Sequence, residues 1–294
     1  MRNYILILLI LLLCSCDHKT ESDPIKTTKI YTGKYRELMD AASNEDLRKM
    51  EKIARKSKIS LNYADSANGI SLLNWCMIND KKRSFKKLLE LGADPNWQDT
   101  TGNTLPSVIE AARLYTTFYL KLALQYRGNP NLISKNLHGS GRQTPLLYAI
   151  YPVGYMGNLK LLVDSGADVN LTPDSLYSPL IETLAQNEME MAKFLLDHGA
   201  DYVHAEFWTQ TVALDKNKQP IHDSSGSPIM VNDKKLSILD LLRANQFPLN
   251  SKEYKIKMQI VVFLKSKGLD YWNHPIPDYI RKEYKNDPEY LLKY

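Results

Sequence analysis

Two short stretches of this chain gather residue types that do chemistry. "CSCDH" (Cys14–His18) puts two thiols, a carboxylate and an imidazole within five positions, donors that a metal site or redox pair would use. "QPIHDSSGS" (Gln219–Ser227) sets His222, Asp223 and Ser224 side by side, the residue types of a hydrolytic triad. Neither spacing delivers that chemistry. A metal needs further ligands, and the polar sequence after His18 supplies none. His138, His198, His204, His222 and His274 do not pair at helical or zinc-finger spacing. A triad converges from separated positions, which consecutive residues cannot do, and there is no G-x-S-x-G elbow. Three cysteines are too few for a disulfide framework. The expectation is a non-enzyme with no cofactor and no metal. An enzyme with its site in the insertion described below is the contrary reading, which a His222-centred pocket with a converging acid would favour.

The elements around the first stretch explain it differently. Arg2 precedes an unbroken apolar run, Tyr4–Leu13, too short for the roughly 20 residues of a membrane-spanning helix but of the length of a signal-peptide core. "LCSC" (Leu13–Cys16) follows and resembles the lipobox of bacterial lipoproteins. The resemblance implies cleavage after Ser15 and lipidation of Cys16; Cys14 fits poorly, because Leu13 would then fill the small position before cleavage. Residues 1–15 are thus expected to be a lipoprotein signal peptide. Residues 16–34, containing "DHKTESDPIKTTK", are expected to be a polar tether. The place implied is a bacterial envelope, lipid-anchored and facing the periplasm. Asp17 resembles an inner-membrane retention signal in some lineages, so inner and outer membrane stay open. A spanning anchor and Cys-x-Cys metal binding are the lesser readings.

Composition bounds the remainder. Hydrophobic content of 44% and charged content of 24% fit a folded protein. A net charge of +5, with Lys81-Lys82-Arg83 the longest basic run, gives no nucleic-acid-scale basic excess, and that run reads as a solvated turn.

A repeat organises the middle of the chain. "LLELGADPN" (Leu88–Asn96) recurs as "LALQYRGNPN" (Leu122–Asn131), "LLVDSGADVN" (Leu161–Asn170) and "FLLDHGADYV" (Phe194–Val203), with a degenerate "FLKSKGLDYW" (Phe263–Trp272). The glycines, Gly92, Gly128, Gly166, Gly199 and Gly268, return roughly every 35 residues with one gap of about twice that. Upstream stand "QTPLLYAI" (Gln143–Ile150) and the looser "ISLLNWC", "YSPLIETLA" and "LSILDLL". Together these resemble ankyrin repeats. Thr or Ser caps a first helix and Pro suits its first turn; Gly ends the second helix in a left-handed conformation. About six units are expected over 35–271, the first being "YRELMDAASNEDLRKMEKIARKSKISLN", with an outer face carrying Arg36, Glu37, Arg48 and Lys49. In unit three, "GNTLPSVIEAA" shifts the proline by one, leaving that helix start open. The fold class is an all-α ankyrin-repeat solenoid with a β-hairpin insertion in the last repeat. Cys76 takes the alanine position of the pattern and reads as a core thiol. His198 reads as a helix C-terminal cap. "NEMEMAKF" (Asn187–Phe194) reads as a helical solvent face.

The insertion spans residues 205–234. "FWTQTVAL" alternates apolar and polar residues, and turn signals follow. Phe207, Trp208, Ile221 and His222 are candidate partner-binding residues, weighed against packing back onto unit five. Tyr177 joins them. A lengthened turn, "ISKNLHGSGR" (Ile133–Arg142), offers Lys135, His138 and Arg142; the turn "WQDTTGN" offers Trp97 and Asn103. Trp and Arg are favoured interface anchors. Residues 272–294, rich in tyrosine, are expected to cap the solenoid with short helices at Asp278 and Asp287-Pro288.

By resemblance, repeats of this kind bind proteins. The pairing of repeats with a lipobox resembles immunity lipoproteins that accompany phospholipase effectors of type VI secretion. The expected partners are a protein, a secreted toxin in the immunity reading, and the membrane through the N-terminal lipid, with no nucleic acid. An envelope scaffold or chaperone for an endogenous enzyme is the sister reading.

Overall fold

The computed structural model describes residues 33–57, 59–64, 69–99, 104–135, 142–150, 154–173, 177–223 and 226–294. Cys16, Asn103 and His138 lie outside them. The described residues fall into two compact units, one within 33–173 and one within 177–294.

The first unit stacks four helix pairs: α1 (Gly33–Ser43) with α2 (Leu47–Ser57), α3 (Leu72–Ile78) with α4 (Lys82–Glu90), α5 (Ser107–Ala112) with α6 (Phe118–Gln125), and α7 (Pro145–Ile150) with α8 (Met156–Asp164). Helices this short are not stable alone; each buries an apolar face on the next pair. The caps are those the repeat requires. The Ser71 hydroxyl accepts the Asn74 N–H at 3.1 Å, and that of Thr144 accepts the Leu147 N–H at 3.2 Å. In the third pair Pro106 itself occupies the cap position, without a side-chain hydrogen bond, so the shifted proline moves no helix start. Trp75, Cys76, Phe85 and Tyr119 are fully or almost fully buried; Phe85 meets Tyr119 edge to face at 5.0 Å.

At the pair-ending turns, Ala93 and Ala167 donate their N–H groups to Leu88 O and Leu162 O, both at 2.9 Å. The glycine before each alanine, Gly92 or Gly166, is left-handed, at φ +100° and +87°. The third repeat departs from the sequence expectation. Gly128 N–H donates to Ala123 O at 2.8 Å, so Gly128 stands where the alanine stands. The left-handed position falls to Arg127, at φ +69°. A Cβ on Gly128 would sit 2.7 Å from Ala123 O; glycine serves close approach there, not the turn.

The second unit holds α9 (Pro179–Ala185), α10 (Met189–Asp197), the strands β1 (Glu206–Val212) and β2 (Met230–Ser237), α11 (Ile238–Ala244) and the long α12 (Lys252–Ser266), followed by α13 (Asp278–Glu283) and α14 (Pro288–Lys293). Helix α10 is amphipathic rather than a solvent face: Met189, Met191 and Ala192 are buried, and Glu190 points outward. His198 caps it, its Nδ1 2.8 Å from Phe194 O. The strands pair antiparallel and lie between α10 and α11. β2 runs to Ser237, three residues beyond the expected end of the insertion, because Ser237 is also the cap of α11 in a reciprocal pair with Asp240.

The tail closes over the last pair. Tyr271 and Tyr294 are fully buried, and Tyr284, Tyr290 and Tyr294 stack in succession. Tyr271 and Tyr294 flank two buried cations. Arg243 lies 3.8 Å from the Tyr271 ring centre and donates to Tyr271 O at 2.7 Å and Tyr294 O at 3.1 Å. Lys257 donates to Asn245 O at 2.8 Å, with its ammonium 4.5 Å from the Tyr294 ring centre.

Candidate protein-binding surface

Turns can present side chains only if something fixes the turns. In the first unit the D-x-N pattern does so twice over. Within each turn a carboxylate or amide accepts the backbone two residues on: Asp94 to Asn96 N–H at 2.9 Å, Asn129 to Asn131 at 2.9 Å, Asp168 to Asn170 at 2.9 Å. Between turns the asparagines form a ladder. Asn62 Oδ1 accepts the Asp94 N–H at 2.8 Å, Asn96 the Asn129 N–H at 2.7 Å, and Asn131 the Asp168 N–H at 2.7 Å. The Asn96 and Asn131 amides donate onward to Arg127 O and Gly166 O at 2.8 and 2.9 Å. Each rung satisfies a backbone group that a solenoid would otherwise leave to water.

The candidates on these turns are framed by that ladder. Trp97 is half-buried, its N–H donating to Asp94 O at 3.1 Å. Lys135 is stapled to the preceding turn: its backbone N–H donates to Gln98 Oε1 at 2.8 Å and its ammonium to Asp99 O at 3.0 Å. Arg142 is half-buried. Trp97 and Lys135 therefore belong to neighbouring turns tied together.

The insertion is built differently. Strand alternation puts Trp208 and Val212 on one face with Met230, and Phe207, Thr209 and Thr211 on the other with Val231. A bulge opposite Thr209 is closed by its hydroxyl, which accepts the Lys234 N–H at 3.0 Å and donates to Lys234 O at 3.2 Å. Past Val212 the chain folds back twice. Ala213 N–H donates to Ile229 O, Ile221 N–H to Ala213 O and Ile229 N–H to Ile221 O, each at 2.8 Å. Three segments thus close on one another at the tip. Asp215 accepts the Asn217 and Gln219 N–H groups at 2.8 Å, and Asp223 accepts Ser227 N–H at 3.0 Å. Among the described residues of the tip none is buried, and these backbone hydrogen bonds hold it.

This frees its apolar residues from packing. Trp208, Leu214, Ile221, Ile229, Met230 and Val231 are all 39–54% exposed. Phe207 divides from Trp208: it is half-buried at the base, edge to face with Tyr177 at 5.8 Å, and the Tyr177 hydroxyl donates to Trp208 O at 3.4 Å. Tyr177 and Phe207 hold the hairpin; Trp208 and Ile221 are presented by it. His222 is exposed at the tip, and the Asp223 carboxylate faces backbone, so the pair forms a turn rather than an oriented base. Among the described residues no group of three or more His, Cys, Asp or Glu could hold a metal ion. Leu214, Ile229, Met230 and Val231 escaped the sequence reading, although the apolar run "PIMV" marks three of them.

No family model matches this sequence. It is 33% identical over 78 residues to an ankyrin repeat protein of Acanthamoeba polyphaga mimivirus, covering 26% of this chain, and 23% identical over 222 residues to the B-cell lymphoma 3 protein homolog of Mus musculus, covering 74% of this chain. The chain spans 18% and 47% of the lengths of these relatives. Among solved structures, it matches the ankyrin repeat domain of Bcl-3 at a TM-score of 0.51 with 20% identity, over 80% of this chain and 86% of that one. Another ankyrin repeat protein matches at 0.48 with 21% identity, over 79% and 98%. The fold is the ankyrin-repeat fold.

Proposed function

We propose that this chain is a protein-binding module, held by lipid on Cys16 to a bacterial envelope and facing the periplasm. It acts there as an immunity protein: it binds a secreted antibacterial effector of the phospholipase kind and occludes the effector's active or membrane-docking face. One observation supports this most. The hairpin of β1 and β2 keeps its shape without a core and leaves Trp208 and Ile221 outward, an arrangement that gains only when a partner covers them. The tethering part of the reading stands on the apolar run Tyr4–Leu13 and "LCSC".

The test is genetic and then biochemical. Export of the product of the neighbouring gene should be toxic, and co-expression of this protein should relieve the toxicity. Toxicity that persists at full expression refutes the immunity role. Trp208→Ala should abolish relief while expression is maintained.

A further inference from the structure

The net charge of the chain is unevenly placed. Residues 33–92 alone carry the equivalent of the whole +5. Within them the exposed cations gather on two consecutive outer helices, α2 and α4. At 100° per residue Arg48, Lys49, Lys52, Arg55 and Lys56 share one side of α2, and Lys82, Arg83 and Lys86 share one side of α4. All eight are exposed. The helices lie side by side, joined by Lys87 to Glu51 at 2.8 Å. Acids neutralise only part of the stripe: Glu51 takes Arg55 and Lys87, Glu90 takes Lys86 at 3.8 Å, and Asp80 takes Lys82 at 3.5 Å. Arg48, Lys49, Lys52, Lys56 and Arg83 have no acid partner for their side chains among the described residues. The pattern stops at the next pair, where Thr117, Phe118 and Lys121 stand in register with Lys82, Arg83 and Lys86.

We infer that this two-helix basic stripe docks on an anionic phospholipid surface. The inference rests on the tethering reading above. If Cys16 carries lipid, a tether of this length holds α1 within about 60 Å of the bilayer, and the charged helices α2 and α4 belong to the two pairs that follow the anchor first. Like charges gathered on one face repel one another. An anionic leaflet removes that cost and adds roughly fivefold in partitioning per Lys or Arg. An acyl anchor joined to a basic face is also the combination that makes membrane attachment durable.

The test uses the full chain with Cys16→Ser, so that no acyl chain contributes, and vesicles rich in phosphatidylglycerol or made of phosphatidylcholine alone. The expected result is preference for the anionic vesicles, lost in molar salt, where the Debye length is about 3 Å. Replacing Lys49, Lys52 and Lys56 by Ala should lower anionic partitioning about 100-fold. Replacing the exposed Lys255, Lys265 and Lys282 by Ala should not change it. Equal partitioning of both triple variants overturns the inference. So does a stripe variant that keeps vesicle binding and instead weakens the protein partner. Palmitate labelling of the wild type against Cys16→Ser tests the anchor separately.

Discussion

The turns of the first unit and the hairpin of the second answer the same need with opposite means. The first unit ties each turn to the next through Asn62, Asn96 and Asn131, so its turn side chains are committed to framework. The hairpin between α10 and α11 ties itself to itself at Ala213, Ile221 and Ile229, and is held to the repeats at its base, where Tyr177 meets Phe207 and Ser237 caps α11. The lesson is that exposure alone does not mark a contact surface. Lys135 is exposed and occupied; Trp208 is exposed and unoccupied.

That contrast can be broken most forcefully at Asn96. Asn96→Ala removes the acceptor of Asn129 N–H and the donor to Arg127 O at once. It should cost about 2–3 kcal/mol, read as a shift in the urea midpoint. A loss under about 0.5 kcal/mol would mean that the ladder is decoration. Trp208→Ala should do the reverse. Its stability should stay within about 0.5 kcal/mol, while partner affinity falls about 30-fold, worth roughly 2 kcal/mol at a buried aromatic anchor. Unfolding of the hairpin on this change would place Trp208 in the framework instead.

A third prediction sharpens the difference in how the units are held. Burial, reinforced by Arg243, pushes the Lys257 ammonium from 10.5 down to about 7. The unfolded chain keeps that proton up to 10.5, so between these values the unfolded state binds more protons and stability rises with pH. The slope between pH 7 and 9 should approach but not exceed about 1.4 kcal/mol per unit. Below about 7 the group adds no further dependence. Lys257→Met should flatten the slope in chemical denaturation; an unchanged slope would show that Lys257 is charged in the fold. The smallest effect lies at Arg127. Arg127→Gly relieves a left-handed arginine and should stabilise the first unit by about 0.5–1 kcal/mol, after the greater freedom of unfolded glycine is counted.

Much of this architecture is legible in the residues. Thr144-Pro145 and Ser178-Pro179 announce helix starts because their hydroxyls accept the first free N–H groups. Gly92, Gly166 and Gly199 announce helix ends because few other residues take positive φ cheaply. Gly128 misleads, since a glycine needed for close approach is spelled like one needed for a turn. The alternation in "FWTQTVAL" gives the hairpin, but not which face turns outward. That depends on Tyr177, which reaches Phe207 only in three dimensions. The buried Arg243 and Lys257 were hidden for a related reason: their aromatic shelter comes from Tyr271 and Tyr294, separated from them in the chain. The basic stripe was hidden by averaging, because a net +5 over the whole chain does not show that residues 33–92 carry all of it.

The account turns on whether the hairpin is covered by a protein partner. The direct measurement is crosslinking in intact envelopes with wild-type protein and with Trp208→Ala/Ile221→Ala, each checked for an unchanged thermal midpoint. The account predicts one stoichiometric partner with the wild type and its loss from the double variant. No stoichiometric partner, or equal recovery with both proteins, would contradict it.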